Sequence, residues 1–189
     1  GNNNAYCQDN SLSWFDWNLV EMHADLVRFV QELIRFRLGN PTLRRRSFLE
    51  GEPGTEGLPP DVKWFSSDGT PVDWLTIDSS LVCFLGAPTP EKLLEEDEIA
   101  AGGIEGTPRH VLIFFHAGAV PRQFQFPQQV LIADLPWRMF INTGQPSPQG
   151  IWPDAKGPPV DSTQPLALQA LSLVCLVADA ITNPRNLIA

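Results

Sequence analysis

Short apolar runs separated by Pro, Gly and Asp dominate the chain after Glu50, and they constrain its fold most strongly. Runs of this kind lie at residues 62–65, 81–85, 110–116, 122–126, 137–142 and 166–177, the last of which we expect to be bent or split. In Gln123-Phe124-Gln125-Phe126 the alternation places both phenylalanines on one side of a strand. Six or more short strands without a second clear helix predict a mainly β fold, an antiparallel β-sandwich rather than a parallel sheet.

One strong helix pattern precedes these strands, between residues 24 and 38. Its apolar residues follow helical spacing and most of its charged residues fall on the other side. Gly39 and Pro41 should end the helix, the glycine as a left-handed cap and the proline because it cannot continue the turn. A helix in front of a complete sandwich needs something else to cover its apolar stripe, so we expect the chain to be part of a larger protein.

Charge and cysteine content exclude several classes of protein. The net charge is −9 and the one basic run, Arg44-Arg45-Arg46, is short, so we expect no nucleic-acid partner. That run predicts a solvated turn or a local acidic partner, or else a contact to an anion or a sugar hydroxyl. The three cysteines are far apart without zinc-site spacing, which indicates reduced thiols in a reducing compartment, the cytoplasm. The apolar runs are too short to span a membrane, so no membrane partner is expected.

The residue types that carry chemistry are present but are not arranged for it. Acidic residues fall in turns, in the loop between Pro88 and Pro108, or beside tryptophan. None lies in a motif that would raise its pKa or orient it for catalysis. The three histidines are dispersed, which favours structural roles over a metal site or a catalytic triad. We find no serine nucleophile elbow and no phosphate-binding glycine loop. The sequence therefore predicts no catalytic residue, no metal and no cofactor within this chain.

The opening, GNNNAYCQDN, is rich in hydrogen-bonding groups and lacks any helix or strand pattern. Such side chains suit either a surface that binds sugar hydroxyls or a loop held by its own hydrogen bonds. Trp14 and Trp17 follow, and their rings could stack on pyranose rings or lie in a core. The candidate substrate-binding residues are Asn2, Asn3, Asn4, Tyr6, Asp9 and Asn10.

Several segments resemble a known family. GNNNAYCQDNSLSWFDW resembles the stretch that follows the eighth barrel strand in isoamylase-type glycogen debranching enzymes, members of the α-amylase clan of glycoside hydrolases. DLVRFVQELIRFRLGNPTLRR is similar to the last barrel helix of that family, and WFSSDGTPVDW to its entry into the C-terminal domain. HVLIFFHAGAVPRQFQFP, WRMFINTGQPSP and LALQALSLVCLVA resemble strands of its C-terminal β-sandwich.

The resemblance implies a division into three parts: residues 1–45 from the end of a (β/α)8 barrel, 46–178 as the β-sandwich, and 179–189 as a tail. It implies a parent enzyme that hydrolyses α-1,6 branch linkages of glycogen or a related α-glucan by a retaining two-carboxylate mechanism, without cofactor. The catalytic motifs of that family precede Gly1, so the chain alone should be inactive. The opening stretch, as a loop at the carboxyl end of a barrel strand, should lie on the catalytic face.

Two other functions stay open. A non-catalytic carbohydrate-binding module would present exposed aromatic residues on one sheet face, and Trp64, Trp74, Trp137 and Trp152 are the available tryptophans unless the core takes them. Alternatively, residues 61–178 could serve only to stabilise the barrel and contact other subunits. The bare stripe of the helix also predicts self-association of the chain.

Overall fold

The apolar runs after residue 60 form antiparallel strands arranged in two sheets. The structure, a computed structural model, describes residues 6–52, 58–76, 78–89, 91–94, 106–131 and 135–180. Two helices come first, α1 (Asn18–Met22) and α2 (Ala24–Gly39), with a 3₁₀ turn at Pro41–Leu43. The strands are β1 (Val62–Phe65), β2 (Ser80–Leu85), β3 (Arg109–His116), β4 (Arg122–Phe124), β5 (Arg138–Asn142), β6 (Leu166–Leu168) and β7 (Ser172–Asp179), with a second 3₁₀ turn at Pro153–Ala155.

The larger sheet has the strand order β1-β2-β3-β7-β5, and every pairing in it is antiparallel. Strands β4 and β6 form a separate antiparallel pair. The main core includes residues of both sheets, such as Phe84 and Phe114 from the large sheet and Phe124 from the small one. The rings of Phe114 and Phe124 meet edge to face at 5.8 Å, a favourable aromatic arrangement. The predicted mainly β, antiparallel fold is confirmed.

Helix α2 packs on the opposite face of the large sheet. Phe36 is buried and its ring lies 4.1 Å from the ring of Phe140, measured between centroids. Phe29 and Leu33, on the same side of the helix, pack against the same cluster, which also contains Val111, Ile141, Ile151, Cys175 and Val177. The sheet therefore covers part of the apolar surface of α2, more than the sequence led us to expect.

A second apolar stripe of α2 is exposed. Its members recur every four residues and are Leu26, Val30, Ile34 and Leu38. Met22, at the end of α1, is also exposed. Apolar side chains in such number on one helix face indicate a surface that associates with something else.

The end of α2 differs from the prediction. Gly39 is the last helical residue and is not a left-handed cap, because the chain leaves the helix at Asn40 in an extended conformation (φ −123°, ψ 102°). Pro41 explains this, since the residue before a proline is restricted to extended conformations. The carbonyl of Gly39 accepts a hydrogen bond from Thr107 N at 3.2 Å. The helix end is thereby tied to the chain that enters β3.

The segment at 166–177 is split, as expected. β6 and β7 are separated by a turn in which Leu171 has a positive φ of 52° and donates its N–H to Gly118 O at 3.0 Å. Strand β4 is shorter than predicted, since it ends at Phe124 although Phe126 remains in the core. Residues 91–94, inside the acidic connection, form one helical turn, whereas the acids at 95–98 lie outside the described residues.

Candidate functional site

Three of the six predicted site residues, Asn2, Asn3 and Asn4, lie outside the described residues. The other three, Tyr6, Asp9 and Asn10, lie in an irregular segment in front of α1 and are all exposed. Tyr6 is 84% exposed. Its ring and hydroxyl are thus available to a ligand.

Asn10 organises a turn. Its side-chain oxygen accepts the N–H of Leu12 at 2.9 Å, and its backbone oxygen accepts the N–H groups of Ser13 and Trp14 at 2.9 and 3.0 Å. Its side-chain nitrogen donates to Gln8 Oε1 at 2.9 Å. This is the self-bonded asparagine turn that the sequence offered as one alternative. It gives the exposed residues around it a defined shape.

The aromatic residues after this turn lie on the surface rather than in the core. Trp14, Phe15 and Trp17 are each more than half exposed. Trp14 Nε1 donates to Asp9 Oδ1 at 2.8 Å, and the rings of Phe15 and Trp17 meet edge to face at 5.1 Å. An indole whose N–H is hydrogen-bonded and whose ring face is exposed is suited to a partly solvated contact with a polar ligand.

A shallow groove of about 200 Å³ lies between the first turns of α2 and the chain that follows β5. Its walls include Asp25, Arg28, Phe29, Thr143 and Gln145. Arg28 Nη2 donates to Pro148 O at 2.6 Å, which holds the two walls together. The groove mixes an aromatic ring with charged and amide groups.

Carboxyl groups do not form a poised acid and base pair in the described part of the chain. Each carboxyl group whose pKa is shifted there has a lowered pKa, and these are Asp61, Asp68, Asp73 and Asp161. For Asp73 the causes are the N–H of Leu75 and the hydroxyl of Thr76. For Asp61, burial opposes the shift, but N–H groups of Glu50 and Gly51 and the charge of Arg45 outweigh it. A general acid at neutral pH needs a raised pKa.

Two histidines are buried and bonded to other groups. His116 Nε2 donates to Val120 O at 2.7 Å, so its Nδ1 accepts the hydroxyl of Ser80 at 2.9 Å. The same hydroxyl oxygen accepts Arg122 Nη1 at 3.0 Å. Ser80, His116 and Arg122 thus link β2, β3 and β4 through side-chain hydrogen bonds. Because Ser80 and His116 are both buried, a substrate cannot reach this pair. His110 accepts the N–H of Ala87 at 3.0 Å and stacks on Phe84.

Metal binding and membrane insertion find no support in the described ranges. No group of three or more His, Cys, Asp or Glu residues there is arranged to hold a metal ion. Nor does any helix within them combine the length and apolarity that crossing a bilayer requires. Of the alternatives for the basic run at residues 44–46, the structure shows a local acidic partner for Arg45. Its buried guanidinium lies 3.7 Å from the carboxylate of Asp61 and also donates to Gly86 O.

The tryptophans divide between core and surface. Trp137 is 1% exposed in the core and Trp152 packs against it. Trp64 is half-buried on β1, and Trp74, just beyond, is 68% exposed with its ring 6.1 Å from that of Trp64.

No family model matches the chain, whereas two proteins of glycogen metabolism match part of it. The chain is 45% identical over 78 residues to the glycogen operon protein GlgX homolog of Mycobacterium tuberculosis. It is 40% identical over 72 residues to the glycogen debranching enzyme of Cronobacter sakazakii. The resemblance to glycogen debranching enzymes is confirmed. These matches cover 39% and 38% of this chain but only 11% and 10% of the two relatives.

A solved structure supports the fold over a longer stretch. The type I pullulanase of Bacillus subtilis, crystallised with maltose, aligns with 90% of this chain and 18% of its own, with a TM-score of 0.50 and 15% sequence identity. At that identity the likeness concerns the fold alone. It supports a β-rich fold over most of the chain.

Sequence reasoning named Trp64 and Trp74 only among four tryptophans and did not separate them from the core. Which tryptophans stay exposed depends on the sheet order, in which β1 is an edge strand. The sequence signal that could have predicted the exposure of Trp74 is Asp73, the residue before it. Aspartate commonly starts a turn, and residues in a turn are commonly exposed.

Proposed function

We propose that the chain is the C-terminal part of a glycogen debranching enzyme. The full-length protein would hydrolyse α-1,6 branch linkages in glycogen or a related α-glucan. The observation that carries this proposal is the 45% identity over 78 residues to a GlgX homolog, together with the 40% identity to an enzyme named for glycogen debranching. With three free cysteines and a glycogen-acting parent, we also place the protein in the cytoplasm.

We further propose that residues 1–45 complete a (β/α)8 barrel, that 46–178 form the C-terminal sandwich and that 179–189 are a tail. The exposed stripe of α2 supports this division, because a barrel helix is covered on the side that faces the barrel strands. The packing of Phe36 on Phe140 would then be a contact between barrel and sandwich.

The proposed mechanism is retaining hydrolysis by two carboxyl groups, one protonating the leaving oxygen and the other attacking the sugar. We assign neither group to this chain. The lowered pKa values of Asp61, Asp68, Asp73 and Asp161 support that choice for the proton donor, because a carboxylate that is ionised at neutral pH cannot donate the proton. The chain alone is therefore proposed to be inactive and to serve mainly a structural role.

The opening segment is proposed to border the substrate groove. Asn2, Asn3, Asn4, Tyr6, Asp9 and Asn10 would contact glucan hydroxyls. The exposure of Tyr6 and the turn built by Asn10 support this role, since the groups are presented in a fixed shape.

Release of reducing ends from glycogen tests the proposal. The 189-residue chain and a longer protein that includes the residues upstream of Gly1 are compared on branched glucan, with a linear α-1,4-glucan as the control substrate. We expect activity only from the longer protein and only on the branched substrate. Activity from the short chain would refute the assignment of both carboxyl groups to other parts of the protein.

A second candidate function is a non-catalytic carbohydrate-binding module. The exposure of Trp74 favours it, since a large aromatic ring is held at the surface beside a second one. Retention of the chain on immobilised glycogen, absent on an underivatised matrix, would support this function. Free elution at high protein load would count against it.

A further inference from the structure

We propose that Trp64, Trp74 and Asp73 form a separate binding site for a neutral α-glucan chain. The site lies at the β1 edge of the large sheet, whereas the first turns of α2 lie beside the chain that follows β5, the strand at the opposite edge. The choice of an α-glucan rests on the proposed function. The existence of a sugar site rests on how the turn at Asp73 holds Trp74 beside Trp64.

Trp74 is exposed and yet held in place. Asp73 starts a turn in which its two carboxylate oxygens accept Leu75 N at 3.0 Å and Thr76 Oγ1 at 2.9 Å. Its backbone oxygen accepts Thr76 N at 3.0 Å. These three bonds fix the backbone on both sides of Trp74. A ring presented on a fixed turn loses little entropy when it binds a ligand.

The hairpin that carries this turn is anchored to the rest of the fold. Val72 N donates to Trp64 O at 3.2 Å, and Phe65 pairs with Pro71 in an antiparallel bridge. At the tip, Ser67 O accepts Gln125 N at 2.8 Å, next to β4. The position of Trp74 relative to Trp64 is therefore set by the sheet. Their rings lie 6.1 Å apart with an interplanar angle of 67°.

Two indoles at this angle form a corner, with the open face of one ring beside the edge of the other. The C–H faces of a pyranose are apolar and its rim carries hydroxyls, so it pairs with an aromatic ring flanked by a hydrogen-bond acceptor. Asp73 supplies that acceptor. Each of its carboxylate oxygens accepts one of the hydrogen bonds above and keeps a second lone pair for a hydroxyl.

Charge selects a neutral ligand. The chain carries a net charge of −9, and the carboxylate of Asp73 stands directly beside Trp74. A sulfated or uronic-acid glycan would be repelled by both. The uncharged chain of an α-glucan would not.

The neighbouring residue gives a matched control. Leu75 is 93% exposed on the same turn, and its side chain has no planar face. Trimming Leu75 removes apolar surface from the same place, so a general hydrophobic contact would be weakened by Leu75→Ala as well as by Trp74→Ala. A stacking site would be weakened by Trp74→Ala alone.

The test follows the six tryptophan indole N–H resonances of the 189-residue chain by heteronuclear NMR during titration with maltoheptaose. We expect the Trp74 resonance, assigned from its loss in Trp74→Ala, to move in a saturable manner. At this site Asp73→Asn, which can keep the turn through its amide oxygen, should weaken affinity several-fold, and Leu75→Ala should leave it unchanged. In Trp74→Ala the titration is followed by the Trp64 resonance, and half of its shift should require about tenfold more maltoheptaose than in the unmodified chain. The spectra themselves report whether each variant is folded.

A Trp74 resonance that stays fixed at the highest maltoheptaose concentration overturns the inference, as does an equal response to cellohexaose, a β-1,4-linked glucan one unit shorter. Movement of the Trp17 resonance alone would place sugar binding at the opening segment and equally overturn it. The proposed function fails by a different result, the absence of branch hydrolysis in the longer protein. Saturable binding at Trp74 combined with that absence would leave a glucan-binding protein that is not a debranching enzyme.

Discussion

At the scale of single residues, His110 shows how burial sets the chemistry of a side chain. Burial, with the nearby charge of Arg45, lowers the pKa of His110 to about 4 from its ordinary value of 6.5. The neutral ring accepts the N–H of Ala87 at 3.0 Å, a bond that the protonated ring cannot make at that nitrogen. Protonation therefore opposes folding twice, through charge burial and through loss of an acceptor.

This predicts an acid-sensitive stability. The unfolded chain binds the proton near pH 6.5 and the folded chain only near pH 4, so stability is complete above pH 6.5 and is lost as the pH falls through that window. The difference amounts to about 3 kcal/mol by pH 4. Urea unfolding at several pH values measures it. His110→Gln retains an acceptor without a proton to bind, so its stability should vary much less across the window, and an unchanged pH dependence would refute the role of His110.

Residue-scale expectations from sequence succeeded where a local rule governs and failed where two local rules compete. Gly39 and Pro41 both signal a helix end, but the restriction that Pro41 places on Asn40 decided the backbone path, and the left-handed glycine cap was wrong. Asn10 could be predicted to build a turn because the bond to Leu12 is local. No local rule predicts that the buried Arg45 would meet Asp61.

At the scale of elements, α2 has two apolar faces with different surroundings. Phe36 is 8% exposed and packs on Phe140, whereas Ile34, two positions earlier, is 54% exposed. Strand periodicity predicted the sheet well, with β1 identical to the predicted 62–65 and the others close to their predicted bounds. The periodicity of α2 could not say which face would meet the sheet, because the apolar residues span both.

The two faces predict different costs of truncation. Phe36→Ala should lower the free energy of unfolding by about 3 kcal/mol, because it leaves a cavity against Phe140. Ile34→Ala should change it by less than about 1 kcal/mol, since the side chain is largely in solvent and alanine favours the helix. Chemical denaturation of both variants measures the difference. Equal losses would mean that α2 does not pack on the sheet through Phe36 in solution.

At the scale of the whole molecule, the fold was more predictable than the candidate site. Alternation and turn residues are local signals, and they sufficed for an antiparallel sheet. The exposure of Trp74 and the burial of Trp137 depend on strand order and on which edge is open, and these are properties of the assembled sheet. The sequence could therefore identify the tryptophans as candidate sugar-binding residues, but it could not predict which of them are exposed.

The exposed surface formed by α2 and the segment before it predicts self-association of this chain. It comprises the stripe of Leu26, Val30, Ile34 and Leu38, an apolar strip about three helical turns long, and the exposed Met22 at the end of α1. A strip of this length on a monomer stays in contact with water unless a second surface covers it, and a second copy offers the same strip in antiparallel register. The weight-average sedimentation coefficient should therefore rise with protein concentration.

Charge placed in the strip should abolish this rise. Ile34→Glu puts a carboxylate in its middle, where pairing would bury it without a partner, so the variant should sediment as a monomer at every concentration. Val120→Glu is the matched control, since Val120 is 70% exposed in the turn between β3 and β4, and it should associate like the unmodified chain. If both variants remain concentration-dependent, the contact lies elsewhere. If the unmodified chain is a monomer throughout, the strip does not pair with itself, and the proposed barrel becomes its remaining partner.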